Sequence, residues 1–151
     1  MEQRLKASRV EMSVLAHATE DLDKVKHALK EALPLQLREA PTLTVEDLEG
    51  YYGNPIELIK VTLHNQDWAS AFMEHLRENL SDDDLRSVIY NLDQHLDKEG
   101  NLFLRLDKQA ALLGKLRLRQ DDAIRLKIKL LRGNMDYIRF TENVKSLLGK
   151  L

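Results

Sequence analysis

The chain contains no cysteine in 151 residues. Disulfides, thiolate nucleophiles and Cys-based zinc or iron–sulfur sites are therefore excluded. It has only three prolines and six glycines. There is no low-complexity linker and no internal repeat, so a single domain over residues 1–151 is expected. No apolar run approaches the roughly 18 to 20 residues that span a bilayer. The start, MEQRLKASRVEMSV, lacks a continuous apolar signal core, and a cytoplasmic location is expected. Aromatics make up 5% of the chain. No P-loop, Rossmann loop, serine triad or zinc hydrolase motif occurs. What is plentiful is apolar and charged: 43% hydrophobic and 32% charged residues, enough for a real core and a well-solvated surface.

The net charge of −2 conceals a polarised chain. Residues 1–100 carry eleven basic and twenty acidic residues, whereas residues 101–151 carry twelve basic and five acidic. Between Arg105 and Arg132 nine basic residues face only Asp107, Asp121 and Asp122. A polyanion, most readily a nucleic-acid backbone, is the partner such a segment suggests.

Periodicity gives the outline of a fold. Val10, Met12, Val14 and Ala16 alternate with polar residues and predict a half-buried strand over 9–17. Leu22, Val25, Leu29, Ala32 and Leu33 form a helical stripe that Thr19 or Asp21 could cap, and Pro34 and Pro41 end it. Leu43 and Val45 suggest a second strand, EGYYGNP a turn, and IELIKVTLH a third strand. Trp68, Phe72 and Leu76 mark a helix. Ser81 opens another, with Leu85, Val88, Ile89, Leu92 and Leu96 on its apolar face. After Gly100, Leu102, Leu104 and Leu106 predict a fourth strand. Asp107 is placed to cap a short helix stopped by Gly114. Leu116 and Leu118, then Ile124 to Leu130, alternate as two more strands around a turn at Asp121 and Asp122. In the tail, DYIRF reads as a sheet extension and Thr141 as the cap of a last helix. The expected architecture is an α+β two-layer sandwich, a mostly antiparallel sheet with helices on one face.

Strand geometry turns the basic run into a surface. Residues two apart share a face. With the leucines and isoleucines inward, Lys115, Arg117, Arg119, Arg125, Lys127 and Lys129 point to water. Pairing 115–119 with 123–130 would set two basic rows side by side, with Arg105 at their edge. Of the aromatics, Phe103 alone has an outward phase beside this region, too few for an RNP-type stacking platform. Readout through backbone and shape is therefore expected. An acidic protein partner, or a sheet face that is merely solvated, would produce the same pattern.

The remaining chemical groups fit structural roles. His17, His27, His64, His75 and His95 make no close metal spacing. His17 fits a capping or hydrogen-bonding role, and His27, His75 and His95 read as helix-surface residues. Trp68, Phe72 and Tyr90 read as core. Asp82, Asp83 and Asp84 suit a helix start. Lys108 and Gln109, after a strand, are placed to meet phosphate or ribose.

VLAHATEDLDKVKHAL, LEGYYGNPI, LSDDDLR, GNLFLRLDKQAALLG and DDAIRLKIK follow one another between residues 9 and 130. On these stretches the chain resembles the archaeal RNA-binding family once described as predicted exosome subunits. DKQAA after a strand is the most specific of them, and the tail beyond Gly133 falls outside the resemblance. The resemblance implies a fold like ribosomal protein L5, an archaeal cytoplasmic protein, and RNA rather than DNA. It points to His17, Thr19, Gly53, Asn54, Arg105, Asp107, Lys108 and Gln109, with no accepted catalytic mechanism. Gly53 and Asn54 suit a turn, and His17 and Thr19 the support of a neighbouring loop.

The leading reading is a non-catalytic protein binding structured RNA, without a cofactor, in RNA processing or ribonucleoprotein assembly. Its contacts would be Arg105, Lys108, Gln109, Lys115, Arg117, Arg119, Arg125, Lys127 and Lys129. A protein-interaction module of an RNA-processing or ribosomal complex is the second reading. A metal-dependent phosphodiesterase or nuclease using Asp107, Asp121, Asp122 and His17 is the third.

Overall fold

Alternation along the strands sets the architecture. In the computed structural model, which describes residues 5–50 and 52–149, five strands form one sheet: β1 (Ala7–His17), β2 (Leu43–Glu49), β3 (Pro55–Leu63), β4 (Asn101–Asp107) and β5 (Ala123–Leu130). The spatial order is β2-β3-β1-β5-β4, and every pairing is antiparallel. One face carries the apolar core. Val10, Met12 and Val14 of β1, Ile59 and Val61 of β3, Leu102, Leu104 and Leu106 of β4, and Ile124, Leu126 and Ile128 of β5 are all buried. A register shift between Ala7 and Arg9 puts Ala7 and Val10, three residues apart, on that same face and leaves Arg9 outward.

Among the described residues six α-helices, α1 (Leu22–Glu31), α2 (Gln66–Asn79), α3 (Asp82–Tyr90), α4 (Leu92–His95), α5 (Lys108–Leu112) and α6 (Tyr137–Leu148), and a short 3-10 helix at Leu35–Leu37 accompany the sheet. Asp21 caps α1 by accepting from the Asp23 amide, and Asn65 caps α2 by accepting from Trp68. Ser81 caps α3 through the Asp84 amide, as its spacing predicts. Leu29, Leu33, Phe72 and Leu76 bury completely beneath the apolar face.

Four expectations are corrected. The helix from Ser81 does not reach Leu96: it breaks at Asn91, and Leu96 instead bridges to Leu102 on the free edge of β4. Residues 115–119 do not pair with β5. They run along the β4 edge: the Asp107 amide donates to the Arg117 carbonyl, and the Arg119 amide to the Arg105 carbonyl. DYIRF does not extend the sheet but opens α6, because Asp136, not Thr141, caps it through the Arg139 amide and Phe140 is fully buried. Tyr90 is not core; it is 88% exposed. The turn expected at EGYYGNP is present, closed by the Gly50 amide on the Asn54 carbonyl, with Gly53 at φ +79°. Tyr51, inside it, lies outside the described residues.

Candidate nucleic-acid interface

The second face of the sheet carries the outward phase of each strand. Register places its side chains in rows. Lys60, Ser13, Arg125 and Arg105 stand across β3, β1, β5 and β4 in that order. Thr62, Glu11, Lys127 and Phe103 form the next row, and Arg9, Lys129 and Asn101 the one after. With strands about 4.8 Å apart, the four-strand rows are about 14 Å wide.

A ridge bounds this surface at the β4 side. Leu96 pairs with Leu102 at one end of β4 and Leu118 with Leu106 at the other. Between them α3 and α4 are tied to the same edge. His95 Nδ1 lies 3.0 Å from the Phe103 carbonyl oxygen, and the Leu118 amide donates to Asp84 Oδ2 at 3.2 Å. Sheet and ridge enclose a groove of about 1010 Å³. Arg9, Lys60, Arg105, Arg119, Arg125 and Lys127 line it, against Glu11 and Asp84. A smaller hollow continues it past Lys129 and Asn101.

The charges are poorly neutralised. Arg9 pairs with Glu11 at 3.1 Å, and Arg119 lies 3.5 Å from Asp121 and 3.8 Å from Asp107. Among the described residues, Lys60, Arg125, Lys127 and Lys129 have no carboxylate at ion-pair distance. Arg105 and Arg125 are direct cross-strand partners, an arrangement that costs a few tenths of a kcal/mol or about 1 kcal/mol at most. Arg105 is held by donating to the Gln120 carbonyl at 2.6 Å. An anion laid along the groove would relieve this repulsion.

Lys108 is elsewhere. Its residue exposure is 5%, and its ammonium donates to the Leu15 carbonyl at 3.0 Å, to both Glu20 oxygens at 3.0 Å, and to Asp122 Oδ1 at 2.9 Å. All three of its donors are spent inside the protein, so it is not available to phosphate. His17 Nε2 approaches the same Asp122 oxygen at 3.1 Å, and its backbone amide donates to Glu20. The cluster ties the end of β1 to the turn before β5, where Asp122 sits at φ +45°. Burial alone would raise the Asp122 pKa. The hydrogen bonds from Lys108 and His17, and their positive charge, outweigh it and hold the carboxyl below its ordinary range. His17, Glu20 and Asp122 lie close enough to chelate a cation, but the Lys108 ammonium already bonds to both carboxylates.

The other predicted residues divide by position. Arg105, Arg119, Arg125 and Lys127 share the groove, and Lys129 adjoins it. Lys115 and Arg117 are exposed on the segment outside β4, which separates them from β5, the neighbour the expected hairpin gave them. Asp107 caps α5 by accepting from the Gln109 and Ala110 amides, leaving the Gln109 side chain exposed. Gly114 follows α5 at φ +76°, as a helix-ending glycine does. Thr19 is exposed in the turn after β1. His75 is half-buried rather than fully on the surface: its ring centroid lies 6.5 Å from that of Phe72, and its Nε2 is buried. Sequence reasoning missed Arg9 and Lys60. Both have the outward phase of their strands, but they belong to the acidic half of the chain, where a charge count hides them.

Fold and face together define an α+β protein with an electropositive open sheet. The chain belongs to an RNA-binding family, whose model matches residues 9–130. It is similar to RNA-binding protein PAB1135 of Pyrococcus abyssi, 31% identical over 129 residues covering 84% of each chain. It is also similar to the uncharacterized protein MJ0213 of Methanocaldococcus jannaschii, 37% identical over 117 residues, 76% of this chain and 78% of that one. Among solved structures, AF2318 from Archaeoglobus fulgidus superposes with a TM-score of 0.81 at 29% identity, covering 94% of this chain and 99% of that one. Mth689, a DUF54 protein from Methanothermobacter thermautotrophicus, gives 0.78 at 34% identity, covering 95% and 99%. The relatives named here are archaeal, and the function the family supports is RNA binding.

Proposed function

We infer that this protein binds structured RNA on the open face of its sheet, mainly through the phosphate backbone. Lys60, Arg105, Arg119, Arg125, Lys127 and Lys129 contact phosphates, with Arg9 shared between Glu11 and the ligand. Lys115, Arg117 and Gln109 extend the field at its margins. The observation that carries the reading is the row of Lys60, Arg125 and Arg105 in register, most of it without a counter-charge. Ser13, Thr62 and Ser87 offer hydroxyls along the same groove, of the kind that hydrogen-bond 2′-hydroxyls and favour RNA over DNA.

Included in the proposal are one RNA-binding domain over residues 1–151, a fold akin to ribosomal protein L5, and a cytoplasmic place in RNA processing, exosome-related or otherwise. The metal-dependent nuclease gains no support, since Asp107 caps a helix and Asp122 is engaged by Lys108. The test is titration of the purified protein with matched RNA hairpins, single-stranded RNA and DNA near 0.1 M salt. Binding with a preference for RNA is expected. No binding to any of them would overturn the reading in favour of a protein partner on this face.

A further inference from the structure

The groove contains one feature that phosphate contacts do not use. Phe103 is 41% exposed at its β4 edge, cross-strand from Lys127 and on the same strand face as Arg105. An aromatic ring left in water amid charged side chains forgoes burial that most phenylalanines obtain. Beside it stands the α3–α4 ridge, which gives Asn91, Gln94 and His95 to the same groove.

The hydrogen bonds of these residues define what the ridge presents. His95 Nδ1 lies 3.0 Å from the Phe103 carbonyl oxygen. A carbonyl only accepts, so Nδ1 carries the proton, and in the neutral ring Nε2 is left as an acceptor. The Asn91 amide nitrogen donates to the Ser87 carbonyl at 3.1 Å, which leaves its Oδ1 as a second acceptor. A flat apolar ring, acceptors on the adjoining wall and cations around both make a site for one nucleobase with its phosphates. An intact A-form duplex offers no free base, whereas loops and bulges splay them out.

We propose that Phe103 stacks one unpaired RNA base against the α3–α4 ridge, where His95 Nε2 and Asn91 Oδ1 accept from the exocyclic amino group of adenine or cytosine. Uracil offers a carbonyl at that position and pairs poorly with two acceptors. This inference rests on the RNA-binding reading and adds to it the kind of RNA bound: a structured element with an exposed loop or bulge base, preferred when that base is adenine or cytosine.

The experiment compares wild type, Phe103→Ala, Phe103→Trp and His95→Ala on two kinds of probe, an uninterrupted RNA duplex and the same duplex with a single bulged nucleotide, adenosine in one version and uridine in another. Thermal melts confirm that each variant folds. Wild type should favour the adenosine bulge. Phe103→Ala should lose about tenfold on the bulged probe, the cost of removing one stacking partner, with duplex affinity unchanged. Phe103→Trp should retain binding, and its indole fluorescence, read in a Trp68→Phe background, should be quenched by the bulged RNA alone. His95→Ala should narrow the adenosine-over-uridine preference. If Phe103→Ala binds both probes as wild type does, or weakens on both equally, the base site is wrong while the phosphate face stands. If wild type binds neither probe, both readings fall.

Discussion

Lys108 illustrates how a residue acquires its role from burial rather than from charge. Its sequence setting, just after a strand in a basic run, suits a phosphate contact. The fold instead spends it on Leu15, Glu20 and Asp122. Lys108→Met should lower stability by about 2 kcal/mol, since it leaves Glu20 and Asp122 without their shared cation but still partly solvated. The folded variant should bind RNA as wild type does; a selective loss of affinity at unchanged melting temperature would restore Lys108 to the interface. His75 makes a separate residue-scale prediction. Burial and the Arg38 charge lower its pKa, against a partial opposing effect from the Ala32 carbonyl, and its Nε2 is buried without a hydrogen-bond partner. The folded state thus disfavours the proton that the unfolded chain takes up near pH 6.5. The His75 contribution is fully present above that pH and is lost as pH falls through it. Thermal melts should show a falling midpoint from about pH 7 to about pH 5, with part of that slope absent in His75→Phe. An identical slope in the variant would contradict the assignment. Neither role was legible in sequence, because a side chain's partners are set by contacts 88 positions apart for Lys108 and Glu20, which periodicity does not reach.

At the scale of elements, alternation and capping carried much of the fold. Period-two alternation runs through β1 from Arg9 on and through β4 and β5, and Ser81 and Asp107 cap as their positions dictate. Two elements went astray for a shared reason. Residues 115–119 alternate like a strand, yet alternation is silent on which neighbour supplies the hydrogen bonds, and β4 rather than β5 does. Tyr137 to Phe140 is too short a run to separate strand from helix by pattern alone. The fold decides it through Asp136, whose carboxylate takes the Arg139 amide, and through Phe140, which buries beside Gly100 and under Arg132. Asp136→Ala should cost about 1 kcal/mol by loss of the cap, lowering the melting temperature by roughly 3 °C. Thr141→Ala, at the cap expected from sequence, should change little. The reverse ranking would show that α6 begins later than described. Gly100 secures the same corner: at φ +97° a Cβ would also come within 3.0 Å of the Leu130 carbonyl oxygen, which favours glycine there.

For the whole molecule, the polarity of the chain becomes polarity of a surface, though not along the line that sequence draws. The basic half supplies Arg105, Arg125, Lys127 and Lys129, and the acidic half adds Arg9 and Lys60 by strand pairing. Counting charge along the chain found the first group. Only the sheet order, with β1 between β3 and β5, brings in the second. The groove owes its depth to α3 and α4 lying along the β4 edge, a placement that rests on the break at Asn91. Neutralisation of RNA phosphates by this face is tested by the salt dependence of RNA affinity. Wild type is compared with Arg125→Glu/Lys127→Glu/Lys129→Glu, both shown to be folded. The variant should bind more weakly, with a log–log salt slope shallower by about 2 to 3, reflecting three lost phosphate contacts. A folded variant with unchanged affinity and unchanged slope would show that RNA does not bind here.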